Sequence, residues 1–186
     1  MRLLGAILAG GASTRFGSDK AAALLGGRAL IDHAADALRP QVETLIVCGR
    51  TWPGLAGVPD RPAPGLGPLG GLCAALAHAH DAGLDAVLSV GCDVLPIPTD
   101  LPRLLGAGPA HVEGQPLFGL WPAALAVEID RHLAEGGNRS LRGWIERIGA
   151  RSVKLGVSLH NLNTPADLER AAALVASGAV LLDPGR

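Results

Sequence analysis

The chain has 186 residues, of which 48% are hydrophobic and 18% are charged. This composition excludes a solvated disordered chain, and the length suits a single core. The 16 basic residues balance 17 acidic ones, so no overall field attracts nucleic acid or an anionic membrane surface. Three Trp and two Phe are also too few for the aromatic platforms that bind single-stranded nucleic acid. We therefore expect neither nucleic acid nor a membrane as a partner.

The cysteines and the amino-terminal segment indicate the compartment. Cys48, Cys73 and Cys92 are widely spaced and form no Cys-x-x-Cys pair, which favours free buried thiols in a reducing cytosol. The apolar run Leu3–Ala9 is short for a signal peptide and is typical of a buried strand. No stretch approaches the roughly 18 apolar residues of a membrane span. We expect a cytoplasmic protein.

Short apolar runs alternate with helical patterns through the first hundred residues, as in βαβ units with a parallel sheet. The predicted strands lack the polar alternation of half-exposed strands, which indicates burial on both faces. The predicted elements here are strands over Leu3–Ala9, Thr44–Cys48 and Ala86–Val90, a helix with apolar positions Leu30, Ile31, Ala34, Ala35 and Leu38 that ends at Pro40, and a helix over Gly71–His80.

Between the second strand and the second helix, Thr51–Gly70 is rich in Pro and Gly and predicts a long functional loop without an element of its own. The second half is less regular. Its predicted elements are a strand over Leu117–Trp121, helices with stripes Ala126, Ile129, Leu133 and Leu141, Trp144, Ile145, Ile148, and a last helix with N-cap Thr164, then Pro165 and Asp167, that stops at Gly178.

The loop after the first strand is the strongest candidate for a phosphate site. It carries glycines, Arg15 and Lys20, and the chain has only one other lysine, Lys154. Glycine backbone N–H groups can approach phosphate oxygens, and ligands bind beyond the carboxyl ends of parallel strands. The P-loop pattern is absent, because Gly17 is followed by Ser18 and not by Lys. The alternative is that the glycines only form a tight turn.

A second glycine cluster spans 65–71. Its literal G-x-G-x-x-G follows a Pro-rich loop where a dinucleotide fingerprint would follow a strand, so it fails on context. Gly70 and Gly71 nevertheless open the predicted helix, whose positive amino end suits a phosphate or carboxylate. Close helix–strand packing is the alternative explanation.

A third candidate, Asp93, follows the apolar strand Ala86–Val90. A carboxylate there needs a partner, and Mg²⁺ typically takes one or two carboxylates plus substrate phosphates. Asp93 is therefore the predicted metal ligand. A capping role in the next turn is the alternative.

These segments, in this order, resemble the molybdenum cofactor guanylyltransferases (MobA-like proteins). The motifs are Leu8-Ala9-Gly10-Gly11 through Lys20, then Gly67-Pro68-Leu69-Gly70-Gly71, then Cys92-Asp93, then Asn161-Leu162-Asn163-Thr164-Pro165. The resemblance covers nearly the whole chain. It implies an α/β fold, a Rossmann-like three-layer sandwich with a mostly parallel central sheet of the nucleotidyltransferase type. It also implies an enzyme that transfers GMP from MgGTP to the terminal phosphate of molybdopterin and releases pyrophosphate.

The resemblance also implies roles for individual residues. Lys20 would bind the nucleotide, and Asp93 would bind the nucleotide and Mg²⁺. Because negative charge builds on the departing pyrophosphate, we add Arg15, so the predicted catalytic residues are Arg15, Lys20 and Asp93. Asp60, in Val58-Pro59-Asp60, matches an acid that binds the nucleotide, and a carboxylate can accept from the N1–H and N2–H₂ donors of guanine. The implied nucleotide-binding set is Leu8, Ala9, Gly10, Gly11, Lys20, Asp60, Gly70 and Asp93.

The chain departs from the family pattern in three places. Phe16 stands where the family usually has Met. Cys48-Gly49-Arg50 stands where the family has a nucleotide contact with Asn, and we carry no residue over there. Val94-Leu95 separates Asp93 from Pro96, where the family places Pro two positions after the acid.

The second half would bind the acceptor. The predicted acceptor-binding residues are Arg139, Arg142, Asn161 and Asn163, because an anionic pterin phosphate needs cationic and amide donors. Residues 1–186 would form a single nucleotidyltransferase domain, with 1–100 as the nucleotide-binding half and 101–186 as the acceptor-binding half. The implied partners are GTP, molybdopterin and, beyond them, other molybdenum cofactor biosynthesis proteins and apo-molybdoenzymes.

The sequence leaves two other functions open. One is a related nucleotidyltransferase, either a molybdopterin cytidylyltransferase or an enzyme that acts on a sugar or polyol phosphate. The cytidylyl relatives tend to have L-A-A-G where this chain has Leu8-Ala9-Gly10-Gly11, which favours guanylyl transfer. The other is a non-catalytic nucleotide-binding or interaction domain, against which the presence of Lys20, Asp60 and Asp93 argues.

Overall fold

A computed structural model describes residues 1–10 and 19–177. Its strands are β1 (Leu3–Leu8), β2 (Leu24–Leu25), β3 (Arg28–Ala29), β4 (Thr44–Cys48), β5 (Ala56–Val58), β6 (Ala86–Val90), β7 (Val94–Leu95), β8 (Ala110–Val112), β9 (Gln115–Pro122), β10 (Arg151–Val153) and β11 (His160–Asn161). Its α-helices are α1 (Leu30–Leu38), α2 (Gly67–Asp81), α3 (Leu101–Leu105), α4 (Ala126–Ala134), α5 (Leu141–Arg147) and α6 (Pro165–Ala176). Short 3-10 turns cover Lys20–Ala22, Arg39–Gln41 and Ala123–Leu125.

A seven-stranded sheet in the order β10-β8-β9-β6-β1-β4-β5 runs through the molecule. β1 pairs in parallel with β4 and β6, β5 is parallel to β4, and β10 is parallel to β8. Only β9 runs antiparallel to its neighbours in this sheet. The carboxyl ends of β1, β4, β5 and β6 therefore meet along one edge, where ligands bind in open α/β sheets.

Helices cover both faces of this sheet. All six residues of β1 are buried, and they alternate between two cores. Leu3 and Ile7 face the core that includes α1, while Leu4 and Leu8 face the core that includes α2, α4 and α5. This arrangement confirms the predicted three-layer α/β sandwich with a mostly parallel sheet.

The periodic helices were predicted closely. The five apolar positions predicted for the first helix are all buried in α1. In α6, Thr164 and Asp167 form the expected capping box, with Pro165 as the first helical residue. The predicted stop at Gly178 lies outside the described residues. In the part of the chain that the structure describes, no helix is both long and apolar enough to cross a membrane.

The prediction for Thr51–Gly70 was wrong in two respects. Ala56–Val58 forms β5, an edge strand held by backbone pairing with β4, so its short Ala-Gly-Val sequence needs no apolar pattern. The second helix begins at Gly67 and not at Gly71, with Pro68 in its first turn, where the missing N–H of proline costs no helical hydrogen bond. The loop proper is therefore shorter than predicted.

Candidate active site

Lys20 is at the centre of a polar cluster at the carboxyl edge of the sheet. Its Nζ donates to Oδ2 of Asp93 at 2.8 Å and to Oδ1 of Asn163 at 2.7 Å. Lys20 thus contacts two residues that the sequence analysis singled out in other motifs. The side chain of Lys20 is only 14% exposed and that of Asp93 27% exposed, so water screens this ion pair less than a surface pair.

Backbone pairing brings these distant segments together. Asp93 follows β6 directly, and the next strand, β7, pairs antiparallel with β11. The backbone N–H of Leu162 donates to the carbonyl of Asp93 at 2.8 Å, which places Asn163 beside the carboxylate. Lys20 enters from the other side as the first residue of the 3-10 turn Lys20–Ala22.

The carboxylate of Asp93 fits a magnesium ligand. A Cβ at Gly91 would lie 2.7 Å from Oδ1 of Asp93, so only glycine leaves space beside that oxygen. No group of three or more His, Cys, Asp or Glu in the described residues could hold a metal by itself. One carboxylate combined with substrate phosphates is a common magnesium arrangement in phosphoryl-transfer sites, and this site matches it.

Asp60 lies in a separate cavity of about 320 Å³ at the same edge. Its Oδ1 is buried and has no hydrogen-bond partner in the described structure. Burial raises the pKa of Asp60, and a hydrogen bond from the backbone N–H of Gly65 partly opposes that shift. A buried acceptor without a partner is costly, so this oxygen indicates a place for a ligand donor. Other residues that line the cavity are Gly10, Gly49, Arg50, Pro64 and Gly65.

Close backbone approach shapes this cavity. Gly49 has φ +79°, and a Cβ there would lie 2.5 Å from Cα of Gly10 and 3.0 Å from Oδ1 of Asp60. The backbone N–H of Ala9 donates to the carbonyl of Cys48 at 3.2 Å and ties the loop after β1 to the end of β4. Leu8 is the last residue of β1 and is buried. Only glycine at these crossing points leaves the two strand ends this close.

The predicted position of Gly70 at a helix start was wrong, because α2 begins three residues earlier. Gly70 lies inside the first turn and a half, where a Cβ would lie 2.8 Å from Cβ of Leu66 and 3.3 Å from Cβ of Asp60. Its nucleotide-binding role stays a prediction. Gly11 and Arg15 lie outside the described residues, so their roles stay predictions.

The sequence analysis missed Asp19 and Arg50 as site residues. The guanidinium of Arg50 donates through Nη1 to Oδ1 of Asp19 at 2.8 Å and through Nη2 to Oδ2. It also lies over the ring of Trp52, 5.6 Å from the centroid. The sequence analysis noted Arg50 only as part of a departure from the family pattern after β4. Its position just after a predicted strand could have indicated a site residue.

The predicted acceptor residues are only partly brought together. Oδ1 of Asn161 accepts from Nε2 of Gln115 at 3.1 Å, next to a second cavity of about 240 Å³ that Gln115 and Lys154 help to line. Arg139 and Arg142 are exposed around the start of α5. The structure describes no hydrogen bond or ion pair from either arginine to Asp93 or Asn163.

The thiols take no part in chemistry at this edge. Cys48, Cys73 and Cys92 are free and buried, as predicted. Burial raises the pKa of Cys48 and of Cys92 to about 12, so both remain neutral thiols near pH 7. The described site thus offers a cation, a carboxylate that could hold a metal and a cavity, and this arrangement suits electrostatic catalysis of phosphoryl transfer.

Comparisons with known proteins agree with this interpretation. The model of the MobA-like NTP transferase domain family matches residues 5–151. The chain is 40% identical to the molybdenum cofactor guanylyltransferase of Cereibacter sphaeroides, across 94% of this chain and 98% of that protein. It is 39% identical to the protein of the same name from Rhodobacter capsulatus, across 92% and 95% of the two chains.

Solved structures share the fold. The molybdopterin-guanine dinucleotide biosynthesis protein A of Archaeoglobus fulgidus superposes with a TM-score of 0.70 at 20% identity, over 95% of this chain and 100% of that chain. The 2-C-methyl-D-erythritol 4-phosphate cytidylyltransferase of Thermus thermophilus superposes with a TM-score of 0.59 at 18% identity, over 95% and 100%. The fold alone is therefore common to guanylyl and cytidylyl enzymes, and the sequence relatives separate them.

Proposed function

The chain belongs to the MobA-like NTP transferase family, and on that premise we propose that it is a molybdenum cofactor guanylyltransferase. It transfers GMP from GTP to the terminal phosphate of molybdopterin, and it forms molybdopterin guanine dinucleotide and pyrophosphate. Curated relatives at 32% to 40% identity carry this name along most of their length. The cytidylyltransferase and the non-catalytic domain are correspondingly disfavoured.

The carboxylate of Asp60 carries the assignment of the guanine site. Asp60 lines the cavity together with Gly10 and Gly49, and its buried Oδ1 has no hydrogen-bond partner in the described structure. Guanine presents two adjacent donors, N1–H and N2–H₂, which a carboxylate can accept together. Cytosine and adenine do not present that pair of donors, so Asp60 favours GTP over CTP and ATP.

Lys20 and Asp93 act on the phosphates. Attack of the acceptor phosphate on the α-phosphorus brings two anions together and builds charge on the departing pyrophosphate. The ammonium of Lys20, already fixed by Asp93 and Asn163, stabilises that charge without reorganisation. Asp93 would hold Mg²⁺ with the phosphate oxygens, and bound Mg²⁺ supplies charge neutralisation at the phosphates. No protein nucleophile is needed, because the acceptor phosphate is already ionised.

The acceptor would lie on the side of residues 101–186. Asn163 touches Lys20, and Asn161 lies beside the cavity near Gln115 and Lys154, which supports a position for the pterin next to the donor phosphates. Arg139 and Arg142 stay predicted acceptor contacts. Transfer to apo-molybdoenzymes, contact with other cofactor-biosynthesis proteins and a cytoplasmic location stay predictions of the sequence.

The test is nucleotide selectivity followed by turnover. We expect GTP with Mg²⁺ to raise the melting temperature more than CTP or ATP, and pyrophosphate to appear only when molybdopterin is added. In Asp93→Asn we expect Mg²⁺-dependent turnover to be lost while the circular dichroism spectrum stays unchanged. A preference for CTP would reassign the chain to the cytidylyl enzymes, and no response to any nucleotide would reject the proposal.

A further inference from the structure

Arg50 and Asp19 form an ion pair between the two parts of the donor site. Arg50 follows β4 and lines the cavity of Asp60, whereas Asp19 ends the phosphate loop next to Lys20. Two N–H groups of the guanidinium meet the two carboxylate oxygens, which is the strongest geometry for such a pair. The side chains of Arg50 and Asp19 are 23% and 46% exposed, so solvent reaches the pair from the side of Asp19 and its strength depends on the two-point geometry.

Arg50 is itself held in place. Its Cζ lies over the ring of Trp52, 5.6 Å from the centroid, and the indole Nε1 of Trp52 donates to Oδ1 of Asp32 in α1 at 2.7 Å. A planar guanidinium presents a fixed fork of N–H donors, which an ammonium does not. The pair therefore anchors Asp19 to a rigid part of the fold.

Asp19 in turn fixes the turn that carries Lys20. Its Oδ1 accepts from the backbone N–H of Ala21 at 3.2 Å, and its carbonyl accepts from Ala22 at 3.1 Å. Asp19 is thus the N-cap of Lys20–Ala22. The hydrogen bond from Arg50, together with its charge, holds the pKa of Asp19 below its usual value, so the carboxylate stays ionised and can both pair with Arg50 and cap the turn.

We propose that Asp19 and Arg50 are a positioning pair that aligns Lys20 with a nucleotide held in the cavity of Asp60. The inference rests on the proposed guanylyltransferase function and adds two residues to it. Neither residue needs to touch the reacting atoms. The pair fixes the distance between the cavity of Asp60 and the ammonium of Lys20. Small displacements of a catalytic group can lower the reaction rate strongly.

Steady-state kinetics of four variants tests the pair. We expect Asp19→Ala and Arg50→Ala each to lower kcat about 10- to 100-fold. The double variant should lose little more than either single one, because the residues act as a unit. Arg50→Lys should recover part of kcat, since it restores the charge but not the fork.

Arg2→Ala is the matched control. Arg2 makes the same kind of fork with Glu43, at 2.7 and 3.0 Å, but at the opposite edge of the sheet, ahead of β1 and β4. Its kcat should equal that of the wild type. Additive losses in the double variant, or a loss confined to the KM for GTP, would overturn the positioning role.

Hydrogen exchange separates this inference from the proposed function. In Arg50→Ala we expect faster exchange at the backbone N–H groups of Ala21 and Ala22, and no change there in Arg2→Ala. Unchanged exchange in Arg50→Ala would overturn the pair even in an active enzyme. If the wild-type protein releases no pyrophosphate, the guanylyltransferase function is rejected. The exchange result would still show whether Arg50 and Asp19 hold the turn Lys20–Ala22 in place.

Discussion

Lys20 holds its ammonium between side chains that lie 73 and 143 residues away along the chain, Asp93 and Asn163. Such long-range contacts keep the cation in place before substrate arrives, so little reorganisation is needed during reaction. We expect Lys20→Ala to lower turnover by about 100-fold or more, measured as pyrophosphate release under saturating GTP and Mg²⁺. The fold should persist, which circular dichroism checks. A rate near that of the wild type would exclude Lys20 from catalysis.

The burial of Asp60 favours GTP binding but lowers the stability of the ligand-free protein. Because its pKa is raised above the value in the unfolded chain, the folded protein keeps a proton that the unfolded chain has released. The free energy of unfolding therefore falls as the pH rises from the pKa of the unfolded chain to the higher pKa of the folded protein. Above that range it stays lower by the same amount. In Asp60→Asn we expect a higher melting temperature of the ligand-free protein at pH 7 and a GTP affinity lower by about 10- to 100-fold.

Calorimetry with GTP and ITP tests the proposed contact between Asp60 and the 2-amino group of guanine. Inosine lacks the 2-amino group, so the wild type should prefer GTP to ITP, and Asp60→Asn should lose most of that preference. Asp81→Asn, at the far end of α2, is the control and should leave both affinities unchanged. An undiminished preference for GTP in Asp60→Asn would place the guanine elsewhere.

The loop from β4 to β5 brings two backbone segments close together at Gly49. Gly49 and Gly54 both have positive φ, at +79° and +75°, but only Gly49 lies against other atoms. Gly54→Ala should therefore cost about 1 kcal/mol of unfolding free energy, from backbone strain alone. Gly49→Ala should cost more and should also weaken GTP binding, because its Cβ would push Gly10 and Asp60 apart. Urea unfolding and calorimetry of the two variants measure the difference; equal effects would contradict it.

Elements with a long periodic pattern could be predicted from the sequence, and elements defined by pairing could not. The strands β1, β4 and β6 are continuous apolar runs, and α1 and α6 have clear apolar stripes or caps. In contrast, β5, β8 and β10 have three residues each, and their stability comes from neighbouring strands that a local pattern does not reveal. The early start of α2 at Gly67 was hidden for a similar reason, because glycine and proline there indicate a loop.

The site residues also fall into those that local sequence motifs indicate and those that only long-range contacts reveal. Lys20 and Asp93 were candidates because each is a charged residue that follows a predicted strand, whereas Asp60 was a candidate only through the family resemblance. Asp19 and Arg50 could not be predicted, because their importance lies in a contact across 31 residues and not in either local sequence. Their roles follow only from the geometry.

At the scale of the whole molecule, one sheet joins residues 1–100 to residues 101–186. β6 from the first half pairs with β9 from the second, from Ala86 opposite Pro122 to Ser89 opposite Gly119. A hydrogen-bond chain through the buried side chains of Ser89 and Trp121 crosses the same junction. Ser89 Oγ accepts from Nε1 of Trp121 at 2.8 Å and donates to the carbonyl of Leu117 at 2.7 Å. Separated halves would expose a long strand edge and leave this polar chain unsatisfied.

We therefore expect the two halves to unfold together, as the predicted single domain requires. Trp52 reports on the first half and Trp121 on the second, so variants that retain only one of them, with Phe at the other Trp positions, should give coincident denaturation curves. Ser89→Ala leaves the Trp121 N–H without its partner and should lower the unfolding free energy by about 1–3 kcal/mol. In the variant that keeps Trp121, the far-UV circular dichroism, which reports on both halves, should shift by the same amount as the Trp121 fluorescence, because the junction is shared. Two separate midpoints, or a shift seen only in the Trp121 fluorescence, would divide the chain into two folding units.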